Sequence, residues 1–255
     1  MKQEWESSDK QEWESIGSST HMANFIYIVE GRARDPIPEH MKEKLENNEL
    51  ENNGGPTISD FDAGHDGMRA SDFQQLPQSV AAGLQLWHVV ALRLYTSNSY
   101  PLFNKPMREG ENPHPIKVTM YFLEDALKKM RRVEAAQNPE RYNTEQILWR
   151  GMRDVDLDLE EFKRVGGTEL APMSTTLKRD VAEAFAKGKQ RGIIFRYTTK
   201  GLSKGVCIDF LSVYPKEKEY LYPPLTNLTL KDRALDEAVD PDSPFKVINV
   251  VPQMS

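Results

Sequence analysis

The chain has 255 residues, 38% of them apolar and 28% charged, with a net charge of −6. That length and composition suit one large soluble domain, or two small ones, with a real buried core. The acidic balance and the lack of a basic block exclude an electrostatic nucleic-acid binder, and no apolar run reaches the ~20 residues of a membrane span. The lone cysteine, Cys207, has no partner for an internal disulfide and fits a reducing compartment. It lies in the apolar run Gly205-Val206-Cys207-Ile208 and reads as a buried strand residue. The N-terminus shows no basic-then-apolar signal segment. A cytoplasmic protein with no nucleic-acid or membrane partner is expected, and the five histidines at 21, 40, 65, 88 and 114 show no metal-ligand spacing.

Residues 1–22 read as a disordered tail or tag, or a lone helix: Lys2-Gln3-Glu4-Trp5-Glu6-Ser7 recurs as Lys10-Gln11-Glu12-Trp13-Glu14-Ser15 in a polar context with little to bury. Residues 23–71 form an extension of no assigned role. Within it Phe25–Val29 reads as a short strand or docking segment, residues 37–50 as helix-prone, Asn52–Pro56 as a break and residues 57–71 as loop. From Asp72, Leu76, Val80, Leu84, Trp87, Val90, Ala91 and Leu94 recur at helical spacing and predict one amphipathic helix ending near Tyr95–Ser99. Trp87 and His88 on it read as core and groove contacts. A second helix carries Met120, Leu123, Leu127, Met130 and Val133 on one face and stops at Asn138-Pro139.

From Gln146 the pattern changes to short apolar runs between turns. Ile147–Gly151 reads as a strand, Leu157–Val165 as a helix stopped by Gly166-Gly167, and Glu169–Met173 as a strand leading into Ser174-Thr175-Thr176. Thr176 is a natural N-cap for a helix over Lys178–Lys187, with Val181, Ala184 and Phe185 inward. Ile193–Tyr197, Val206–Ile208, Leu225–Leu230 and Phe245–Val251 are further strands, and residues 231–244 an acidic loop. Strand runs behind helix runs indicate an α+β fold.

Three polar features fall at strand edges in this second half: Arg150, Ser174-Thr175-Thr176, and Glu217-Lys218-Glu219. Each has an ordinary reading. The arginine could be a surface ion pair, the hydroxyl run a helix cap, and Lys216–Glu219, alternating in sign, a solvated face. Together they supply what N-glycosidic cleavage of a charged dinucleotide needs. A guanidinium fork grips phosphate oxygens, a small hydroxyl orients a carboxylate, and the carboxylate faces developing positive charge on a ribose. In an extended segment Glu217 and Glu219 would project from one face.

Trp149-Arg150-Gly151, Ser174-Thr175-Thr176 and Glu217-Lys218-Glu219-Tyr220-Leu221 with Pro223-Pro224 resemble the Arg–Ser–Glu class of mono-ADP-ribosyltransferases, most of all its arginine-specific branch. Leu94-Tyr95-Thr96, Tyr100 and Asn104 to Arg108 resemble that family's helical-lobe signature. The likeness covers about residues 72–251, with a helical lobe over 72–138 and a β-rich core over 146–251. It implies a helical lobe packed on a strand-rich sandwich with a central NAD cleft.

The resemblance also implies roles. Glu219 would hold the nicotinamide-ribose 2′-hydroxyl and stabilise an oxocarbenium-like transition state, and Glu217 would hold the acceptor guanidinium and help remove its proton. Ser174 would bind the ribose and orient Glu219, with Thr175 beside it in the NAD site. Arg150 would grip the phosphates and the Gly151 backbone would meet the nicotinamide amide. Phe185 is similar to a family aromatic near nicotinamide, although its helix position equally suits core packing. NAD is the implied co-substrate, with NADP open as a donor, no metal, and an acceptor protein with an exposed arginine as partner of a monomeric enzyme. An NAD glycohydrolase of the same fold and a non-catalytic NAD-binding or interaction module are the alternatives. Thr176 departs from the second serine usual in the family. The disulfide cysteines and membrane-attachment ends of some animal relatives are missing, which favours an intracellular acceptor.

Overall fold

The computed structural model describes residues 10–31, 61–65, 68–153, 155, 157–188, 191–231 and 244–254. They gather into two compact units. The first holds the described residues up to Val133 together with Ile208–Lys216. The second holds those of Glu134–Cys207 and from Glu217 onward.

The first unit is helical. Residues 10–15 form a short helix, and α1 follows at Ser19–Glu30. The short helix was one of the two expectations for this segment, although it is packed and not lone, whereas α1 differs from the expected strand. Phe25–Val29 is helical despite its β-prone side chains, because Asn24, Phe25 and Ile28 recur at helical spacing and are buried on one face. The supposed tail is tied down from Lys10 onward. Trp13 is fully buried, stacked 5.9 Å from Phe25, and its indole N–H donates to Thr119 Oγ1 at 3.0 Å. Beside it the Glu12 carboxylate accepts the N–H groups of Val118 at 2.8 Å and Thr119 at 3.1 Å. A helix start leaves such donors unmet and favours an anion there, so Glu12 caps a helix 106 residues further along. Trp13→Ala should lower unfolding free energy by about 3–5 kcal/mol in a urea titration; a loss within error would mean that this segment packs loosely.

The expected single helix from Asp72 is three. They are α2 (Ala70–Gln74), α3 (Pro77–Ala81) and α4 (Leu86–Thr96). Pro77 cannot donate within a helix interior and starts α3 instead, and Gly83 at φ 63 breaks the next join. α5 (Tyr100–Glu109) ends on left-handed Gly110, and α6 (Lys117–Gln137) ends before Asn138-Pro139 as expected. His88 is a buried core histidine: Nδ1 accepts the Gln85 N–H at 2.8 Å and Nε2 donates to Asp125 at 2.9 Å. Burial holds its pKa below the usual value and keeps it neutral. Among the described residues no helix is long and apolar enough to cross a membrane.

The second unit adds α7 (Pro139–Asn143), then β1 (Gln146–Met152), α8 (Leu159–Val165), β2 (Gly167–Glu169) and β3 (Met173–Thr176). Next come α9 (Arg179–Ala186), β4 (Gly192–Thr199), β5 (Val206–Cys207), β6 (Glu219–Tyr222), β7 (Thr226–Leu230) and β8 (Phe245–Gln253). The strands form one eight-stranded sheet in the order β2-β7-β8-β4-β1-β3-β6-β5. Its two halves join at a single pair, Trp149↔Thr176, between β1 and β3. One face packs Leu148, Met173, Tyr197, Tyr220, Tyr222 and Ile248, and the other receives Ala182 and Ala186 of α9. The helix expected over 37–50, its Asn52–Pro56 break and all but the ends of the 231–244 loop lie outside the described residues.

Candidate active site

The sheet register decides which polar side chains share a face. β3 pairs antiparallel with β6, with Ser174 opposite Leu221 and Thr176 opposite Glu219. Residues directly opposite project to the same side, and strand neighbours alternate. Met173, Tyr220 and Tyr222 lie in the core on one face. Ser174, Thr176 and Glu219 therefore share the other, with Ser174 and Glu219 as diagonal neighbours. Glu219 is 5% exposed and Ser174 half-buried.

Arg150 reaches the same junction along the chain of β1. Beyond Trp149↔Thr176 the pairing of β1 with β3 goes no further. Arg150 Nη1 donates to the Ser174 carbonyl at 2.8 Å, bracing the point where the strands part. Its Nη2 lies 3.5 Å from Glu169 Oε2, both side chains being 16% exposed. Nothing in the sequence marked Glu169 as this partner, since β2 and β1 are far apart in the strand order. Tyr197, fully buried nearby, has its hydroxyl pKa pushed up by burial, against the pull of the Arg150 charge.

Gly151 has a packing reason of its own. A Cβ there would lie 1.8 Å from the Ala182 carbonyl oxygen, and one on Gly192 would lie 2.0 Å from that of Ala186. Two glycines under two alanines let α9 sit close on β1 and β4. Gly151→Ala should therefore cost about 3 kcal/mol or more, because backbone rather than a pliable side chain is in the way. An unchanged thermal midpoint would show that α9 can lift off freely.

The hydroxyl run is strand, not cap, which corrects the reading of Thr176. The N-cap position of α9 is Lys178, and Thr176 accepts the Lys178 N–H at 3.0 Å from inside β3. The Thr176 hydroxyl itself donates to the Glu217 carbonyl, and the Leu177 N–H donates to the Lys218 carbonyl at 3.3 Å. Thr176 thus ties the acidic turn to β3, and threonine suffices because only the hydroxyl is used. Thr175 is 2% exposed and donates to the Tyr220 carbonyl at 2.9 Å, so its side chain holds the sheet and is not offered to a ligand.

The two acids are not on one extended segment. Glu217 closes a 3-10 turn over Pro215–Glu217, Lys218 is left-handed at φ 55, and Glu219 opens β6. The turn reverses the simple alternation that two-residue spacing implied. Glu217 is half-buried, with Oε1 shielded from solvent, while Lys218 points out. Phe185 is half-buried on α9 and stands outside both core clusters, as does Val181, while Ala182 and Ala186 take the inward positions. Small residues facing glycines won over the larger apolar ones.

The second unit therefore places Ser174, Thr176 and Glu219 on one face at the sheet junction with Glu217 in the turn beside them, while Arg150, opposite Phe195, projects to the other face and meets the junction through the Ser174 carbonyl. Solved structures with this arrangement of helices and sheet are mono-ADP-ribosyltransferases. The ADP-ribosyltransferase HopU1 of Pseudomonas syringae pv. Tomato DC3000 aligns at TM-score 0.53 and 20% identity, over 78% of this chain and 99% of its own. Exoenzyme S from Pseudomonas aeruginosa, in a complex with human 14-3-3 protein beta and carba-NAD, aligns at 0.50 and 20%, over 83% and 86%. The C3 exoenzyme of Clostridium limosum aligns at 0.50 and 20%, over 73% and 96%. These likenesses establish the ADP-ribosyltransferase fold. The family model of NAD:arginine ADP-ribosyltransferases matches residues 56–238, and the chain belongs to that family. Comparison with curated proteins returns no match.

Proposed function

We propose that the protein transfers a single ADP-ribose from NAD to arginine side chains of a target protein and releases nicotinamide. The observation that carries this reading is the register placing Ser174 and Glu219 on one face, beside a turn that presents a second acid, Glu217. The bond between nicotinamide nitrogen and ribose C1′ breaks, and its electron pair leaves with nicotinamide. The ribose carbon becomes positive, and the buried carboxylate of Glu219 stabilises that charge best where water is scarce. An arginine nitrogen then bonds to C1′ and gives up a proton.

A guanidinium with a pKa above ~12 is a poor nucleophile and needs a carboxylate beside it to accept the proton it gives up. Glu217, two residues before Glu219, supplies that partner. Arg150 offers a guanidinium whose carbonyl and carboxylate contacts hold it in place for phosphate oxygens. Ser174 and the Gly151 backbone complete the NAD contacts, and Phe185, left outside the core, is available to the nicotinamide ring. The test uses labelled NAD with agmatine as a small guanidine acceptor. ADP-ribosyl-agmatine as the main labelled product supports the reading; release of free ADP-ribose alone overturns it in favour of a glycohydrolase.

A further inference from the structure

One row of side chains crosses five strands of the sheet in the second unit. Thr176 stands opposite Glu219, Trp149 opposite Thr176, Arg196 opposite Trp149 and Asn249 opposite Arg196. Residues directly opposite project to the same side, so all five belong to the face that bears Ser174. Neighbouring strands lie about 4.8 Å apart, which sets Arg196 about 14 Å from Glu219 along the row.

Away from Glu219 the row is cationic. The Arg196 guanidinium lies 5.9 Å from the Trp149 ring centroid, and that of Arg179, the first residue of α9, lies 5.4 Å from it. The indole attracts both charges and steadies them. Arg196 is half-buried, and its Nη1 donates to Asn249 Oδ1 at 3.1 Å. Among the described residues no carboxylate pairs with it, although a charge withdrawn from water normally has an opposite partner. The Arg179 side chain is 52% exposed and meets Glu183 through Nε at 2.8 Å, while its Nη nitrogens meet no acceptor among the described residues. At the other end the row is acidic. The Thr176 hydroxyl holds the Glu217 carbonyl, so the turn that carries the acid for the acceptor adjoins the row.

We infer that Arg196 and Arg179 dock a carboxylate of the acceptor protein and so select target arginines with an aspartate or glutamate nearby. Both roles rest on the proposed transferase reading. A guanidinium fork matches the paired oxygens of a carboxylate, and the dinucleotide phosphates already have Arg150. An extended acceptor chain rises about 3.3 Å per residue, so an acid four residues from the target arginine spans about 13 Å and points to the same side as that arginine. Complementary charge of this kind chooses between partners more than it adds raw affinity.

The test compares peptides that hold one arginine and a glutamate four residues before or after it with matched glutamine peptides, and includes agmatine, which has no acid. The unaltered protein should modify a glutamate peptide about 10-fold better in kcat/KM than its glutamine match, the worth of one hydrogen bond between charged groups. Arg196→Gln, whose amide can still donate to Asn249, should abolish that preference and leave transfer to agmatine and the KM for NAD unchanged. Arg179→Gln changes an exposed side chain, keeps the fold and should reduce the preference about 3-fold. Equal use of glutamate and glutamine peptides by the unaltered protein overturns the inference, as does a preference unchanged in either folded variant. A raised KM for NAD in Arg196→Gln also overturns it and gives the row to a dinucleotide phosphate. NAD hydrolysis with no transfer to any acceptor overturns the transferase reading and this assignment together, whereas transfer to agmatine without a peptide preference overturns this assignment alone.

Discussion

Glu219→Gln should lower the rate of nicotinamide release by about 10²–10³-fold, the range seen when one electrostatic stabiliser of a charged transition state is removed. The substitution keeps the size and the strand hydrogen bonds of a residue that is 5% exposed and paired with Thr176, so the sheet has no reason to change. What is lost is the full negative charge beside the ribose carbon, which counts most away from water. The measurement is nicotinamide release at saturating NAD, with the thermal midpoint followed in parallel. A wild-type rate in a folded variant would rule out the enzyme reading and favour a module that only binds NAD.

Glu217→Gln should separate the two halves of the reaction. Transfer to agmatine should fall by about 10²–10⁴-fold, the usual contribution of positioned proton transfer, while hydrolysis of NAD continues at much of its original rate. Glu217 precedes β6, in a turn held to β3 by Thr176, and takes no part in the strand pairing that fixes Glu219. Its amide analogue can still accept hydrogen bonds from a guanidinium but cannot balance its charge or take its proton. Equal loss of transfer and hydrolysis would contradict this division between the acids.

The fold class and most strands of the second half were legible from short β-branched runs punctuated by glycine and proline, but the similar run Phe25–Val29 is helix, and Glu169–Met173 is strand only at its two ends. The spacing of Arg150, Ser174 and Glu217-Lys218-Glu219 carried the family likeness. What spacing could not carry was three-dimensional register. Thr176 looked like a helix cap because a hydroxyl followed by a helical run is the usual sequence sign of one. In fact it is a strand residue whose hydroxyl serves the Glu217 carbonyl. Thr175 read as a ligand contact and is structural for the same reason, since alternation turns it to the core.

Trp13 and Glu12 were hidden by their polar surroundings. A lone aromatic in a charged run gives no period, and its partners Phe25 and Thr119 are distant in sequence. Asp62 and Arg93 were likewise illegible: a buried ion pair between a turn and a helix leaves no local pattern. The glycines under α9 could have been suspected from Ala182 and Ala186 at i and i+4, a small-residue stripe that fits close packing on a strand.

Diffraction from crystals of the protein soaked with a non-hydrolysable carbocyclic NAD analogue tests most directly whether one dinucleotide engages these groups together. The expected result is a pyrophosphate on the Arg150 guanidinium, with the nicotinamide-ribose hydroxyls within hydrogen-bond distance of Ser174 and Glu219. A dinucleotide bound elsewhere, with Arg150 and Glu219 both untouched, would contradict it.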